Sequence, residues 1–188
     1  FNLLGVNAQF LGGPIKLEGG SRKLPPRSAE ANPIFRIQGQ ATANGLRQAK
    51  EFGALGLLAQ HASGASAYTA SLGFKGGQSE LLIQSQLQGL ALNLPAPFGK
   101  RADESSAFKY ESVVQSLGNA APYKAQRDQI QMSWGANVSA SYLRDLTGTE
   151  ARVIQGRVQV GAANPTASAN SREPGVTADV NLPSFSID

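Results

Sequence analysis

Hydrophobic and polar side chains alternate with a period of two over much of the chain. In the runs Phe35 to Ala43 and Tyr68 to Phe74, small or apolar residues occupy every other position. This period places one set of side chains on each face of a β-strand. The alternation recurs at residues 130–134, 138–142, 154–160 and 176–182. The pattern predicts a mainly β fold whose strands each have one apolar and one polar face.

Glycine-containing turns between these runs indicate antiparallel pairing. Gly76-Gly77 separates the strand that ends near Phe74 from the segment Ser79 to Leu87, as a tight hairpin requires. Gly135 separates two runs that could form one bent strand. We therefore expect a strongly curved antiparallel sheet. Alternation alone does not decide whether its apolar face stays open as a groove or closes as a sandwich.

One short helix and three loops complete the predicted elements. The helix is expected from about Gly45 to Phe52, with Asn44 as its N-cap. Segments rich in Pro, Ser or other polar residues predict loops. These segments are Arg22 to Pro33, Pro95 to Ala107 and Gly161 to Gly175.

The length and the chain ends suggest a piece of a larger protein. The 188 residues are 41% hydrophobic and 16% charged, which suits one domain with a core. Both ends, Phe1 to Phe10 and Val176 to Asp188, are predicted to be strands, and the sequence opens without Met or a signal-peptide pattern. We expect residues 1–188 to be a single fragment of a longer β-rich protein.

Composition argues against several classes of function. Cysteine is absent, and His61 is the lone histidine, so neither a Cys-based nor a multi-histidine metal site is expected. Asp103-Glu104 lies in a polar segment where solvated charges are expected. We predict no catalytic residues, no metal, no cofactor and no enzymatic activity. No apolar run approaches the roughly 18 residues of a membrane-spanning helix.

The net charge of +4 is scattered along the sequence, which argues against nucleic acid as a partner. Arg22, Lys23 and Arg27, around Pro25-Pro26, form the most concentrated basic cluster. This cluster lacks the interleaved aromatic residues that single-stranded nucleic acid binding uses. It is interpreted as a solvated loop or as a contact with phospholipid headgroups.

From Leu87 to Lys100 the chain reads LQGLALNLPAPFGK, which contains the pattern L-x-G-x-x-x-x-L-P-x-P-x-x-K. Here it resembles the central region of the YhdP family of AsmA-like envelope proteins. The positions that carry the motif are Leu87, Gly89, Leu94, Pro95, Pro97 and Lys100. The resemblance continues, in order, at residues 10–15, 64–72, 156–161 and 174–176.

The resemblance implies the periplasmic portion of an inner-membrane-anchored bacterial envelope protein. Such proteins look like long β structures whose apolar groove passes phospholipid between the inner and outer membranes and supports the outer-membrane permeability barrier. The implied partners are phospholipid and the flanking segments of the same long chain. Membrane contact is expected only through an anchor that this sequence does not include.

An apolar sheet face needs a cover, and lipid acyl chains could supply it. The candidates for a lipid-binding groove are the apolar residues of the alternating runs together with Leu87. They are Tyr68, Leu72, Phe74, Leu81, Ile83, Leu87, Ile130, Met132, Trp134, Val158, Val160, Val180 and Leu182. The alternative is that the same residues form a closed core in a structural or assembly module that binds no ligand.

Overall fold

The computed structural model describes residues 2–21, 33–49, 54–75, 78–95, 98–116, 126–161 and 174–182. The alternating runs form strands of one open, curved sheet. The strands are β1 (Asn2–Phe10), β2 (Gly13–Gly20), β3 (Ile34–Thr42), β4 (Ala62–Lys75), β5 (Gln78–Ser85), β6 (Leu90–Leu92), β7 (Phe108–Ser116), β8 (Gln126–Trp134), β9 (Val138–Asp145), β10 (Arg152–Gly161) and β11 (Gly175–Asn181).

Strand order in the sheet follows chain order from β1 to β11, with one exception. The short strand β6 lies off this path and pairs with β4, so that β5 and β7 become neighbours. The mainly β fold and the curved sheet are confirmed. Of the two predicted forms, the sheet takes the open one, and no second sheet packs on it within the described ranges.

The hairpin between β4 and β5 is confirmed. The two strands pair antiparallel, and Lys75 lies opposite Gln78. This register leaves two residues for the connection, as predicted. The two residues themselves, Gly76 and Gly77, lie outside the described part of the chain.

The strand arrangement differs from expectation at two places. The strands β10 and β11 run parallel, with Val158 opposite Ala178, whereas every other pairing along the path is antiparallel. Residues 162–174 connect the two strands, and a connection of about a dozen residues is long enough for the chain to return to the starting end. Gly135 does not bend a single strand. With φ of 57° it opens the turn between β8 and β9, where Trp134 pairs with Val138.

The predicted helix begins earlier and ends earlier than expected. Helix α1 spans Ala43–Gln48, and its N-cap is Thr42, not Asn44. The Thr42 hydroxyl accepts a hydrogen bond from the Gly45 N–H at 3.0 Å, which satisfies one of the unpaired donors of the first turn. A second short helix, α2 (Ala54–Leu58), and a 3-10 turn (Ala59–His61) follow, so the prediction of one helix was incomplete.

The tightly packed core is small. One cluster joins Ala41, Tyr68 and Ala70, and a second joins Ala43, Ala62 and Leu90. Leu46 of α1 packs against both clusters, so the helix covers the sheet at the end where β3 finishes and β4 begins. We call this the capped end, and the opposite end of the strands the open end. No large side chain in the described ranges is fully buried, as expected for a sheet that lacks a second layer.

Candidate functional site

The strand register brings apolar side chains together on one face of the sheet, the apolar face. Residues that pair across neighbouring strands point to the same face, so each register row can be followed through the sheet. One row crosses ten strands and carries an apolar or aromatic residue on each of them. Its members, in order, are Val6, Leu17, Ile37, Ala70, Ile83, Tyr110, Met132, Ala140, Val158 and Ala178.

The predicted groove residues fall on this face. Those within β4, β5, β8, β10 and β11 share register rows, so the structure brings them together as one surface. Leu87 lies beyond β5 and packs against the cluster of Ala43, Ala62 and Leu90. Leu182 is the first residue past β11. Their role in binding lipid stays a prediction.

The apolar face is partly open to solvent. Phe74 is 39% exposed and Val180 is 64% exposed, while Leu72, Leu81 and Ile83 are half-buried. Helix and loop cover the capped end. Ile130 and Val160, on the same face, are also buried. Nine inter-strand spacings give this surface a length of about 43 Å along its curve. Apolar patches of that size mark binding sites for lipid, protein or membrane.

The motif identified in the sequence lies at the capped end. Residues 86–107, which we call the motif loop, run from the end of β5 to the start of β7 and include β6. The loop is tied to β4 where Ala65 donates its N–H to the Gly89 carbonyl at 3.2 Å. Phe98 of the loop lies 6.3 Å from the Trp134 ring, measured between centroids. The loop thus closes the apolar face at this end.

Lys100 is buried within the motif loop and stabilises it through hydrogen bonds. The residue is only 7% exposed. Its Nζ donates hydrogen bonds to the carbonyl oxygens of Leu90 at 2.8 Å and Arg101 at 2.9 Å. Burial lowers the pKa of this ammonium group, and the nearby Glu104 and Asp103 partly offset the effect. The backbones of Lys100 and Leu92 also exchange two hydrogen bonds, each N–H donating to the carbonyl of the other residue. Lysine at this motif position therefore has a structural explanation.

Replacing Lys100 by Met is expected to lower the free energy of unfolding by about 1–3 kcal/mol, because the buried Leu90 carbonyl and the partly buried Arg101 carbonyl lose their donor. Local hydrogen exchange in residues 86–107 should increase. Lys109→Met is the matched control, since Lys109 is 44% exposed and its ion pair with Glu111 stabilises by at most about 1 kcal/mol. Equal effects of the two variants on chemical denaturation would contradict the stabilising role of Lys100.

The other motif positions are structural in a similar way. Gly89 has φ of 89°, and a Cβ there would lie 2.4 Å from the Ala65 carbonyl oxygen. Pro95 accepts turn hydrogen bonds from the N–H groups of Phe98 and Gly99. Leu94 is half-buried beside this turn. Pro97 and the basic cluster of Arg22, Lys23 and Arg27 lie outside the described residues.

A charged pair interrupts the apolar face near the open end, and sequence analysis missed it. Arg144 on β9 lies directly opposite Asp128 on β8, and the guanidinium binds both carboxylate oxygens through Nε and Nη2. The alternation contained the signal: Asp128 stands in phase with Ile130, Met132 and Trp134. On the other side of β8, Asp128 lies opposite Val114 of β7. The alternation in β8 therefore predicts that the Asp128 carboxylate lies on the apolar face.

The opposite face of the sheet is polar. Ion pairs join Lys16 with Glu18 and Arg157 with Asp179 on this face. Two open hollows of about 380 and 460 Å³ also lie mainly on this face. The smaller hollow is lined mainly by polar side chains, including Glu111, Gln131 and Ser133, and the larger one also contacts Leu82 and Val113. The two faces therefore differ sharply in chemistry, as the alternation predicted.

The residues considered for chemistry in the sequence are not assembled into a site. His61 is exposed in the 3-10 turn, where its carbonyl accepts the Asn93 N–H at 2.8 Å. Asp103 is exposed in the motif loop and forms a surface ion pair with Arg101. Within the described ranges, no group of three or more His, Asp or Glu side chains is placed to hold a metal ion.

Comparison with known proteins gives the family. The family model described as "YhdP protein" matches residues 1–188, the whole sequence. The chain belongs to the YhdP family. Membership suggests an AsmA-like envelope protein. No curated protein and no solved structure matches the chain. Among the described residues, no helix has the length and apolar character needed to cross a membrane.

Proposed function

We propose that this YhdP-family chain is a non-enzymatic segment that holds or conducts phospholipid in the periplasm, between the inner and outer membranes. Through this transport the parent protein would support the outer-membrane permeability barrier. One observation carries the proposal: an apolar row continues across ten strands, no second sheet lies over that face in the described ranges, and apolar residues on it such as Phe74 and Val180 are exposed.

The chemistry of the face suits acyl chains. Its lining combines branched aliphatic and aromatic side chains with small residues such as Ala70 and Ala140, which leave room between larger neighbours. The backbone hydrogen bonds run within the sheet, so a hydrocarbon chain lying on this face would meet few unpaired polar groups. Exposed apolar area of this kind is stabilised when ligand replaces water over it.

Placing charges on the apolar face should abolish lipid binding. In the full-length gene product, Leu72→Asp with Ile83→Asp is expected to remove co-purifying phospholipid, because each ionised carboxylate opposes hydrocarbon in its surroundings. Ser71→Asp with Gln84→Asp is the matched control, since these positions adjoin the first two in sequence and point to the polar face. Native mass spectrometry with lipid extraction measures both variants.

A photo-reactive amino acid separates direct contact from indirect loss. Inserted at Ile83 it should form lipid adducts in the envelope, whereas at Gln84 it should form few. Protein adducts at Ile83 without lipid would favour the alternative, an assembly module whose apolar face packs on neighbouring protein. The exposed apolar residues of the edge strand β1, among them Leu4 at 83% exposure, are the observation that favours this alternative.

A further inference from the structure

The charged pair on the apolar face is unexpected for a surface that only covers hydrocarbon. The Asp128 side chain is 3% exposed, and that of Arg144 is 26% exposed. Replacing such a buried pair by apolar residues of similar volume is often neutral or stabilising. Stability alone therefore gives little reason for these two residues on this face.

The geometry leaves Arg144 able to bind a second anion. Asp128 occupies the edge of the guanidinium formed by Nε and Nη2. An arginine side chain carries further N–H groups on Nη1 and Nη2. Among the described residues, Asp128 is the one hydrogen-bond acceptor of Arg144. About a quarter of the Arg144 side chain is accessible, so a ligand on the apolar face can contact it. The carboxylate fixes the orientation of the group in advance.

Neighbouring groups make this a polar spot within the apolar face. Ser112 lies opposite Ile130, one step from the pair, and it is buried. Tyr110 is the next residue on this face of β7, and its hydroxyl interacts electrostatically with both Arg144 and Asp128. Burial raises the pKa of Tyr110, so its hydroxyl is protonated at neutral pH. The spot therefore combines one guanidinium with neutral hydroxyl groups.

The distance from the charged pair to the capped end is similar to the length of a lipid acyl chain. From Asp128 to Trp134 the strand β8 rises by about 20 Å. Ile130 and Met132 lie between them on the apolar face, and Phe98 packs beyond at Trp134. One leaflet of bilayer hydrocarbon is about 15 Å thick. An acyl chain directed toward Trp134 would thus place its polar end near Arg144.

We propose that Arg144, held in position by Asp128, binds the phosphate group of a phospholipid whose acyl chains lie on the apolar face and point toward the capped end. This inference rests on the proposed function. Guanidinium groups are preferred ligands of phosphate because their N–H groups match its oxygens in geometry and charge. Arg144 contacts the ligand, and Asp128 is a positioning residue.

Two lipids with identical acyl chains test the proposal. The full-length gene product should bind phosphatidylethanolamine about 10- to 100-fold more tightly than diacylglycerol, which lacks the phosphate. The double variant Asp128→Leu, Arg144→Met should bind both lipids with similar affinity. Because the apolar face remains intact in it, a lost preference reports on the headgroup rather than on folding. Thermal denaturation checks that the variant is folded.

A second double variant provides the control. Arg157→Met with Asp179→Leu removes the equivalent ion pair from the polar face, and it should keep the preference of the wild type. Asp128→Asn should reduce the ratio of the two affinities while the diacylglycerol affinity stays constant. A purely structural Asp128 would change both affinities together.

The outcomes distinguish failure of the headgroup site from failure of the apolar groove. If the wild type binds neither lipid, the proposed function fails, and this inference fails with it. If it binds both equally, the headgroup site is wrong while the apolar groove stands. If excess inorganic phosphate stabilises the wild type but not the double variant, and the lipids bind equally, Arg144 binds free phosphate and the lipid assignment is overturned.

Discussion

Replacing Arg144 by Met is expected to lower the free energy of unfolding by about 3–5 kcal/mol, because it leaves the buried Asp128 carboxylate without its partner. Urea denaturation followed by fluorescence measures the change. Trp134, the single tryptophan, lies on the same strand as Asp128 and reports directly on this part of the sheet.

Removing both charges should restore most of the loss. In the double variant Asp128→Leu, Arg144→Met no charge remains buried, and its stability is expected within about 1 kcal/mol of the wild type or above it. Arg157→Met is the control, and its cost should be clearly smaller because the carboxylate that it leaves unpaired, Asp179, has a side chain that is 39% exposed. A single Arg144→Met variant as stable as the wild type would show that the carboxylate is not buried.

Gly89→Ala is expected to cost about 2–5 kcal/mol, combining a disfavoured positive φ with a clash. The added methyl group would meet the Ala65 carbonyl oxygen at 2.4 Å, so the motif loop would have to move away from β4. Chemical denaturation measures the cost, and hydrogen exchange across residues 86–95 locates it.

Gly73→Ala is the control for this substitution. Gly73 lies in β4, its φ is not positive, and a Cβ there would meet nothing within 4 Å. Because alanine restricts the unfolded chain more than glycine, this variant should be neutral or more stable by up to about 1 kcal/mol. Similar losses in both variants would mean that the Gly89 turn is not the constraint that we describe.

Much of the sheet could be predicted because alternation depends only on local side-chain direction. The alternation in residues 68–74 and 130–134 predicted both the strands and which side chains share the apolar face. The hairpin at Gly76-Gly77 followed from two glycines between two such runs. The same logic did not identify β7. Phe108 and Tyr110 alternate with polar residues there, but Ser112 on the apolar face and Val113 on the polar face break the pattern.

The remaining features depend on contacts between distant parts of the chain. Strand β6 is three residues long and exists because Ala62, Ser63 and Gly64 of β4 offer a partner. The burial of Lys100 depends on the path of its whole loop, so sequence motifs alone could mark the residue but not explain it. Nor does alternation reveal that Arg144 would lie opposite Asp128, since this requires the register of β8 against β9.

The parallel pairing of β10 with β11 affects how this sheet could ever close. Along the path of ten strands, a single parallel pairing makes the two edge strands, β1 and β11, run in the same direction. Bending the sheet into a barrel would therefore require a parallel seam, which is less stable per residue than an antiparallel one. A strand joined to β11 by a tight hairpin would instead pair antiparallel and extend the sheet. The direction of one strand thus favours lengthening of the apolar surface over its enclosure.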